Sequence, residues 1–144
     1  MKGEHNVFSF LDVKDLKELC GFFQCRSLRA GETLWEEGSP CDYMAFVVSG
    51  RVEVKKQTEF RGRHVVVGIF SKGSIIGSLC ILDNAPRAVT AVALEDVTIV
   101  TLSRDNFEKL MSAYPESGSK LMRGMLLSTS VRLRKSFERL AKIF

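Results

Sequence analysis

The chain of 144 residues lacks any apolar run long enough to cross a bilayer core, which takes about 20 residues. A membrane-spanning helix is therefore excluded as a reading of the sequence. Residues 1–12 also lack the apolar core of a secretory leader. Histidine is scarce, with only His5 and His64. A metal site on facing strands needs two or three histidines and a carboxylate, so a metalloenzyme has little to be built from. No serine or cysteine has a general base beside it in sequence, which disfavours nucleophilic catalysis. The four cysteines, Cys20, Cys25, Cys41 and Cys80, form no C-x-x-C pair. The gap between Cys20 and Cys25 does not match the clustered spacing of an iron–sulfur site. All four are expected to be reduced thiols in a cytoplasmic protein, and Cys80 a small packing residue. There is also no large excess of one charge: 21 basic residues against 17 acidic ones give +4 and a pI near 9.0. That balance suits an anionic small ligand or an acidic partner and is too weak to argue for nucleic acid.

What is present is ordinary globular composition, 45% hydrophobic and 26% charged, in a chain the size of one domain. Residues 12–23 place Val13, Leu16, Leu19, Cys20 and Phe23 at helical spacing behind Asp12, a suitable N-cap. From Cys25 to Leu102 the period shortens. Strand-like runs at 33–36, 43–48, 51–55, 64–70, 89–94 and 97–102 are separated by Gly, Pro, Asn and Asp turn signals. Val52 and Val54 alternate with Arg51, Glu53 and Lys55, which predicts a half-buried strand. The more continuous run at 64–70 predicts a strand covered on both sides. Many short strands at this spacing predict a mainly β jelly roll with flanking helices. After Leu102 the helical period returns. Ser103 can cap a helix that places Phe107, Leu110 and Met111 on one face. Pro115 suits the first turn of a second helix, with Gly118 and Gly124 as weak points.

On that last helix Leu126, Leu133 and Leu140 recur every seven residues, with Ser130, Phe137 and Phe144 four positions after each. The pattern reads equally as a coiled-coil seam for a homodimer through 121–144 or as one amphipathic helix laid on its own β-domain. Arg132, Arg134, Lys135, Arg139 and Lys142 make the helix basic, and a solvated face is the default reading of such a run.

The most informative stretch is 73–90, Gly-Ser-Ile-Ile-Gly-Ser-Leu-Cys-Ile-Leu-Asp-Asn-Ala-Pro-Arg-Ala-Val-Thr. It combines glycines, a short apolar helical turn, a proline loop and one arginine, which are the parts of an anion cradle. Amides at a helix start carry partial positive charge, and a guanidinium grips two phosphate oxygens at once. Alone, Arg87 would read better as a surface ion-pair partner of Asp83. Its place after Pro86 in a glycine-rich unit favours a phosphate.

Ala30-Gly31-Glu32, Glu37-Gly38, Ser49-Gly50-Arg51-Val52-Glu53-Val54, Gly73-Ser74-Ile75-Ile76-Gly77 and Pro86-Arg87-Ala88-Val89-Thr90, in that order, resemble the cyclic-nucleotide-binding domain. That family includes catabolite-activator-type regulators and the regulatory subunits of cyclic-AMP-dependent kinase. The resemblance implies a double-stranded β-helix (jelly roll) forming one domain over 1–144. Its parts would be an N-terminal helix at 12–24, a β-roll at 25–102 with its phosphate cassette at 73–90, and C-terminal helices at 103–144, without a DNA-binding domain. It implies that Arg87 holds the exocyclic oxygens of a cyclic phosphate and that Leu79, Cys80 and Ala88 donate backbone N–H groups. It also implies that Gly77 lets the backbone approach the phosphate, and that part of the last helix, near 128–132, covers the base. Ala88 leans toward adenine, so cyclic AMP is the favoured ligand.

The chain departs from the pattern at Gly77-Ser78, where the family has Gly-Glu. The glutamate accepts a hydrogen bond from the ribose, so serine is expected to weaken binding. The implied protein is a non-enzymatic sensor with no cofactor, no membrane segment and no nucleic-acid partner. It would signal to an unidentified effector protein by moving its C-terminal helices. The alternatives are a degenerate domain acting in dimerisation or protein interaction, and a pocket for a different anionic ligand. Metal cupins share the architecture, and the histidine count argues against them.

Overall fold

The computed structural model describes residues 8–143. His5 and Phe144 lie outside them. The chain begins with a helix α1 (Val13–Leu19) and a 3-10 turn (Cys20–Phe22). Eight strands follow: β1 (Gln24–Leu28), β2 (Thr33–Trp35), β3 (Tyr43–Ser49), β4 (Val52–Gln57), β5 (His64–Phe70), β6 (Ile75–Ile76), β7 (Thr90–Ala93) and β8 (Val97–Ser103). A short helix α2 (Ser78–Asp83) sits between β6 and β7, and α3 (Arg104–Ala113) and α4 (Pro115–Ile143) end the chain. The strands form two antiparallel four-stranded sheets, ordered β1-β8-β3-β6 and β2-β7-β4-β5. This is the expected jelly roll with flanking helices. No helix among the described residues is long and apolar enough to cross a membrane.

The period-two alternation of strands explains two separate cores. In β3, Ala45 and Val47 face the second sheet and join Val52, Val54, Ala91, Ala93 and Ile99. Met44 and Phe46 face the other way and join Leu102 of β8 and Leu19, Phe107, Leu110 and Leu121 from the helices. Being covered on both faces, β3 reads as a continuous apolar run.

Both expected caps form. Asp12 accepts from Asp15 N–H while the Asp15 carboxylate accepts from Asp12 N–H, a reciprocal capping box. Ser103 accepts from Asn106 N–H at the start of α3. Asp15 is buried and also accepts from Ser117 Oγ at 2.6 Å and Lys120 Nζ at 3.0 Å, tying α1 to α4. These hydrogen bonds, Ser117's first, hold its carboxyl well below the usual carboxylate range.

Three expectations are corrected. The run at 64–70 is not covered on both sides: β5 is an edge strand, and Val65, Val66 and Ile69 are exposed. Gly118 and Gly124 are buried packing positions on α4. A Cβ at Gly118 would meet Met111 Sδ at 2.6 Å, so the small residue lets α4 lie close to α3. The cysteines are not all thiols. Cys41 and Cys80 are joined by a disulfide between residues 39 apart, while Cys20 and Cys25 are free and exposed. The fold brings α2 against the start of β3, placing the two Cα atoms 5.9 Å apart, within the range a disulfide bridges.

Candidate functional site

The cassette occupies the space between β6 and β7. Gly77 starts α2 at φ +82°, a left-handed conformation that glycine adopts without strain. A Cβ at Gly77 would lie 2.6 Å from Arg87 Nη1 and 3.0 Å from the Trp35 ring. The glycine therefore leaves room for the arginine. The first amides of α2 have no partners within the helix, and Ser78, Leu79 and Cys80 border the same hollow.

Arg87 is not on the surface and forms no ion pair with Asp83, whose carboxylate accepts from Ala85 N–H. It is only 3% exposed. Its backbone is clamped to the 36–42 loop: Arg87 N–H donates to Ser39 O at 2.9 Å, and Arg87 O accepts from Gly38 N–H at 2.8 Å. Its guanidinium lies 3.5 Å from the Trp35 ring centroid and 4.8 Å from that of Tyr43. Nη2 donates to the Tyr43 carbonyl at 2.7 Å, and Nη1 donates to Cys80 Sγ at 3.5 Å. Arg87 Nε and Trp35 Nε1 are buried with no hydrogen-bond partner among the described residues. Burial, opposed by Tyr43 and Asp42, lowers the pKa of the guanidinium. An arginine nonetheless stays charged in proteins, so the roll keeps a largely desolvated cation at the cassette.

Next to it is a cavity of about 730 Å³ between the β-roll and α4. Trp35, Val54, Ile69, Phe70 and Val89 form an apolar wall. Every residue expected in the site borders it: Gly77, Ser78, Leu79, Cys80, Arg87 and Ala88. The Ala88 carbonyl accepts from Lys56 Nζ at 3.1 Å. Ser128, Thr129 and Arg132 of α4 also border the cavity, within the 128–132 segment expected to cover it.

Of the five basic residues on this helix Arg134, Arg139 and Lys142 are exposed, as a solvated face requires, while Arg132 and Lys135 are part-buried. Arg132, Lys135, Arg139 and Lys142 border the cavity, and Arg134 does not. Arg132 donates to Ile69 O and Ser74 Oγ and lies 3.8 Å from the Phe70 ring centroid. Arg139 donates to Val67 O at 3.1 Å. The signal was in the spacing: these four follow one another by three, four and three residues, which puts them on one helical face. Trp35 and Tyr43, whose rings meet edge to face beside the arginine, had no sequence signal beyond being aromatic strand residues. Cys41 had none either, since its partner is distant in the chain.

Leu126, Leu133, Phe137 and Leu140 are each more than half exposed. The buried face of α4 is instead made by Ser117, Gly118, Leu121, Gly124, Met125 and Ser128. The helix thus packs on its own domain with one face and leaves the leucine repeat uncovered.

A family model for the cyclic nucleotide-binding domain matches residues 25–114. A CRP-like cAMP-activated global transcriptional regulator of Mycobacterium tuberculosis is 28% identical over 137 residues, 95% of this chain and 59% of that protein. A cAMP-dependent protein kinase regulatory subunit of Aspergillus fumigatus is 38% identical over 82 residues, 57% of this chain and 19% of that one. This chain therefore spans less than two thirds of the length of either relative. Among solved structures, a cyclic nucleotide-binding domain from Methylobacillus flagellatus superposes with a TM-score of 0.87 at 27% identity, covering 93% of this chain and 75% of that one.

Proposed function

We propose that this chain, which belongs to the cyclic nucleotide-binding domain family, is a non-enzymatic regulatory module that binds a cyclic nucleotide and reports it through α3 and α4. One observation carries the reading. A buried, charged Arg87 with an unpartnered Nε borders a cavity of ligand size that has an apolar wall. In the bound state Arg87 offers Nε and Nη1 to phosphate oxygens while Nη2 keeps the Tyr43 carbonyl, and the first amides of α2 add hydrogen bonds. Ala88 favours adenine, so cyclic AMP is the first ligand to test. Ser78, at the position of the family's glutamate, lowers the affinity.

Output follows from how α4 is held. Arg132 and Arg139 bond to carbonyls of β5 across the cavity that a ligand would enter. A ligand shifts α4 to the extent that it binds one arrangement of these contacts better than the other. The exposed Leu126, Leu133, Phe137 and Leu140 supply a surface for a homodimer through 121–144 or for an effector protein. The module works in the cytoplasm, where a disulfide such as Cys41–Cys80 is usually transient and redox-responsive. It involves no cofactor, nucleic acid or membrane.

Calorimetric titration with cyclic AMP and cyclic GMP tests the reading. Saturable binding of either supports it, and no heat from any nucleotide at millimolar concentration overturns it. Light scattering with and without cyclic AMP tests the dimer, which a monomer at high concentration in both states refutes. The exposed leucine stripe and the serine at 78 favour a second reading, an interaction module that no longer binds a nucleotide. A firm dimer with no nucleotide response would establish it.

A further inference from the structure

We propose that the cavity accepts a nucleotide ligand with at least two negative charges, one held by Arg87 and another by the row of cations on α4. This rests on the reading above and narrows it. A cyclic mononucleotide brings a single phosphate charge, which Arg87 alone can meet. The cavity, however, is bordered by five cations, Arg87, Arg132, Lys135, Arg139 and Lys142, against one carboxylate, Glu138. From position 132 to position 142 the α4 cations extend over about 15 Å of helix, at roughly 1.5 Å per residue. They therefore face a stretch of the hollow that a single phosphate at Arg87 does not fill. A cleft lined by one sign of charge concentrates counter-charged ligands.

The α4 cations are not all committed to the fold. Arg139 uses one of its five N–H donors on the Val67 carbonyl, and Lys142 makes no hydrogen bond or ion pair among the described residues. The residue at 78 agrees with this reading. A carboxylate there would repel a second phosphate in the same cavity, whereas the Ser78 hydroxyl is neutral and can donate to one. The cavity volume, about 730 Å³, lies in the upper half of the usual ligand-site range. Its long apolar wall, from Trp35 and Val54 to Ile69 and Phe70, can cover more than one ring.

The test is calorimetric titration of the full chain with cyclic AMP, cyclic di-GMP and ATP at 0.15 M and 0.5 M NaCl. At the lower salt, cyclic di-GMP or ATP should bind at least tenfold more tightly than cyclic AMP, and the gap should shrink at the higher salt. Whichever of the two binds tighter tells whether the second charge belongs to a macrocycle or to a phosphate chain. In an Arg139→Gln/Lys142→Gln double variant the ratio to cyclic AMP should fall to within about threefold. Both side chains are exposed, and a thermal melt checks that the variant is folded. Cyclic AMP binding as tightly as both multiply charged ligands would overturn this inference and leave the sensor reading standing. So would a ratio unchanged in the double variant. Failure of all three ligands would remove both.

Discussion

Replacing Arg87 with alanine separates its role in the fold from its proposed role in holding a phosphate. In the free protein the guanidinium is part of the fold. It stacks on Trp35, which is worth about 2 kcal/mol for a desolvated pair. It also satisfies the Tyr43 carbonyl, whose loss as an acceptor costs about 1–3 kcal/mol. Against these, the variant no longer has to hold a positive charge out of water, which offsets most of the loss. The net change in stability is therefore small, about 1–2 kcal/mol, and the domain should still melt cooperatively. Ligand binding has no such offset. Two charge-assisted hydrogen bonds to phosphate contribute roughly 3–6 kcal/mol together. Their loss lowers affinity on the order of 100- to 10,000-fold. Calorimetry with cyclic AMP on the folded variant reads this directly. Arg87→Lys keeps the charge but loses the planar fork, so it should fall between wild type and alanine. A folded Arg87→Ala protein that binds cyclic AMP within threefold of wild type would refute the argument, because the buried cation would then serve only the fold.

Ser78→Glu restores the carboxylate that the family pattern has there. It should strengthen cyclic AMP binding by about 1.5–3 kcal/mol, on the order of 10- to 100-fold, as measured by calorimetry. Reducing Cys41–Cys80, or replacing Cys41 with alanine, frees α2 from the start of β3. The melt should show a loss of about 2–4 kcal/mol, and nucleotide affinity should fall with it because α2 and the sulfur beside Arg87 both border the site. Asp15 is held below the usual carboxylate range by Ser117, the Asp12 backbone and Lys120, so its contribution to stability is present above about pH 4 and is lost as pH falls further. Asp15→Asn should be less stable at neutral pH and show a shallower decline of melting temperature below about pH 4.

How much of this was legible in the sequence depended on whether the cause of a feature was local. The caps at Asp12 and Ser103, the alternation in β4 and the glycine-marked turns act over a few residues, and each appeared where its pattern predicted. β1 went undescribed because Gln24, Cys25, Arg26 and Ser27 are exposed, so no apolar alternation marks it. β6 is two residues long and has no period to detect. β5 was misread because Val65, Val66 and Ile69 look like core, yet the strand lies at a sheet edge where one flank is open. A composition that implies burial says nothing about a strand's place in the sheet order.

The site shows the same division. Arg87 and the cassette were legible because the motif is contiguous, but the direction of the arginine was not. Its inward turn depends on Trp35 and Tyr43, which come from strands of opposite sheets and meet only once the roll has closed. Cys41 likewise reaches Cys80 only through that closure. The α4 cations lie at the far end of the chain from the cavity's other lining, and only the packing of Leu121 and Met125 on the helical core aims them into it. The parts that give the cavity its sign of charge and its reach are therefore supplied by tertiary contacts. A ligand that engages Arg87 and α4 together acts on the same contacts that hold the last helix. If recognition at the cassette and the position of the exposed leucine stripe are set by that one group of side chains, a variant that weakens the first should also shift the second.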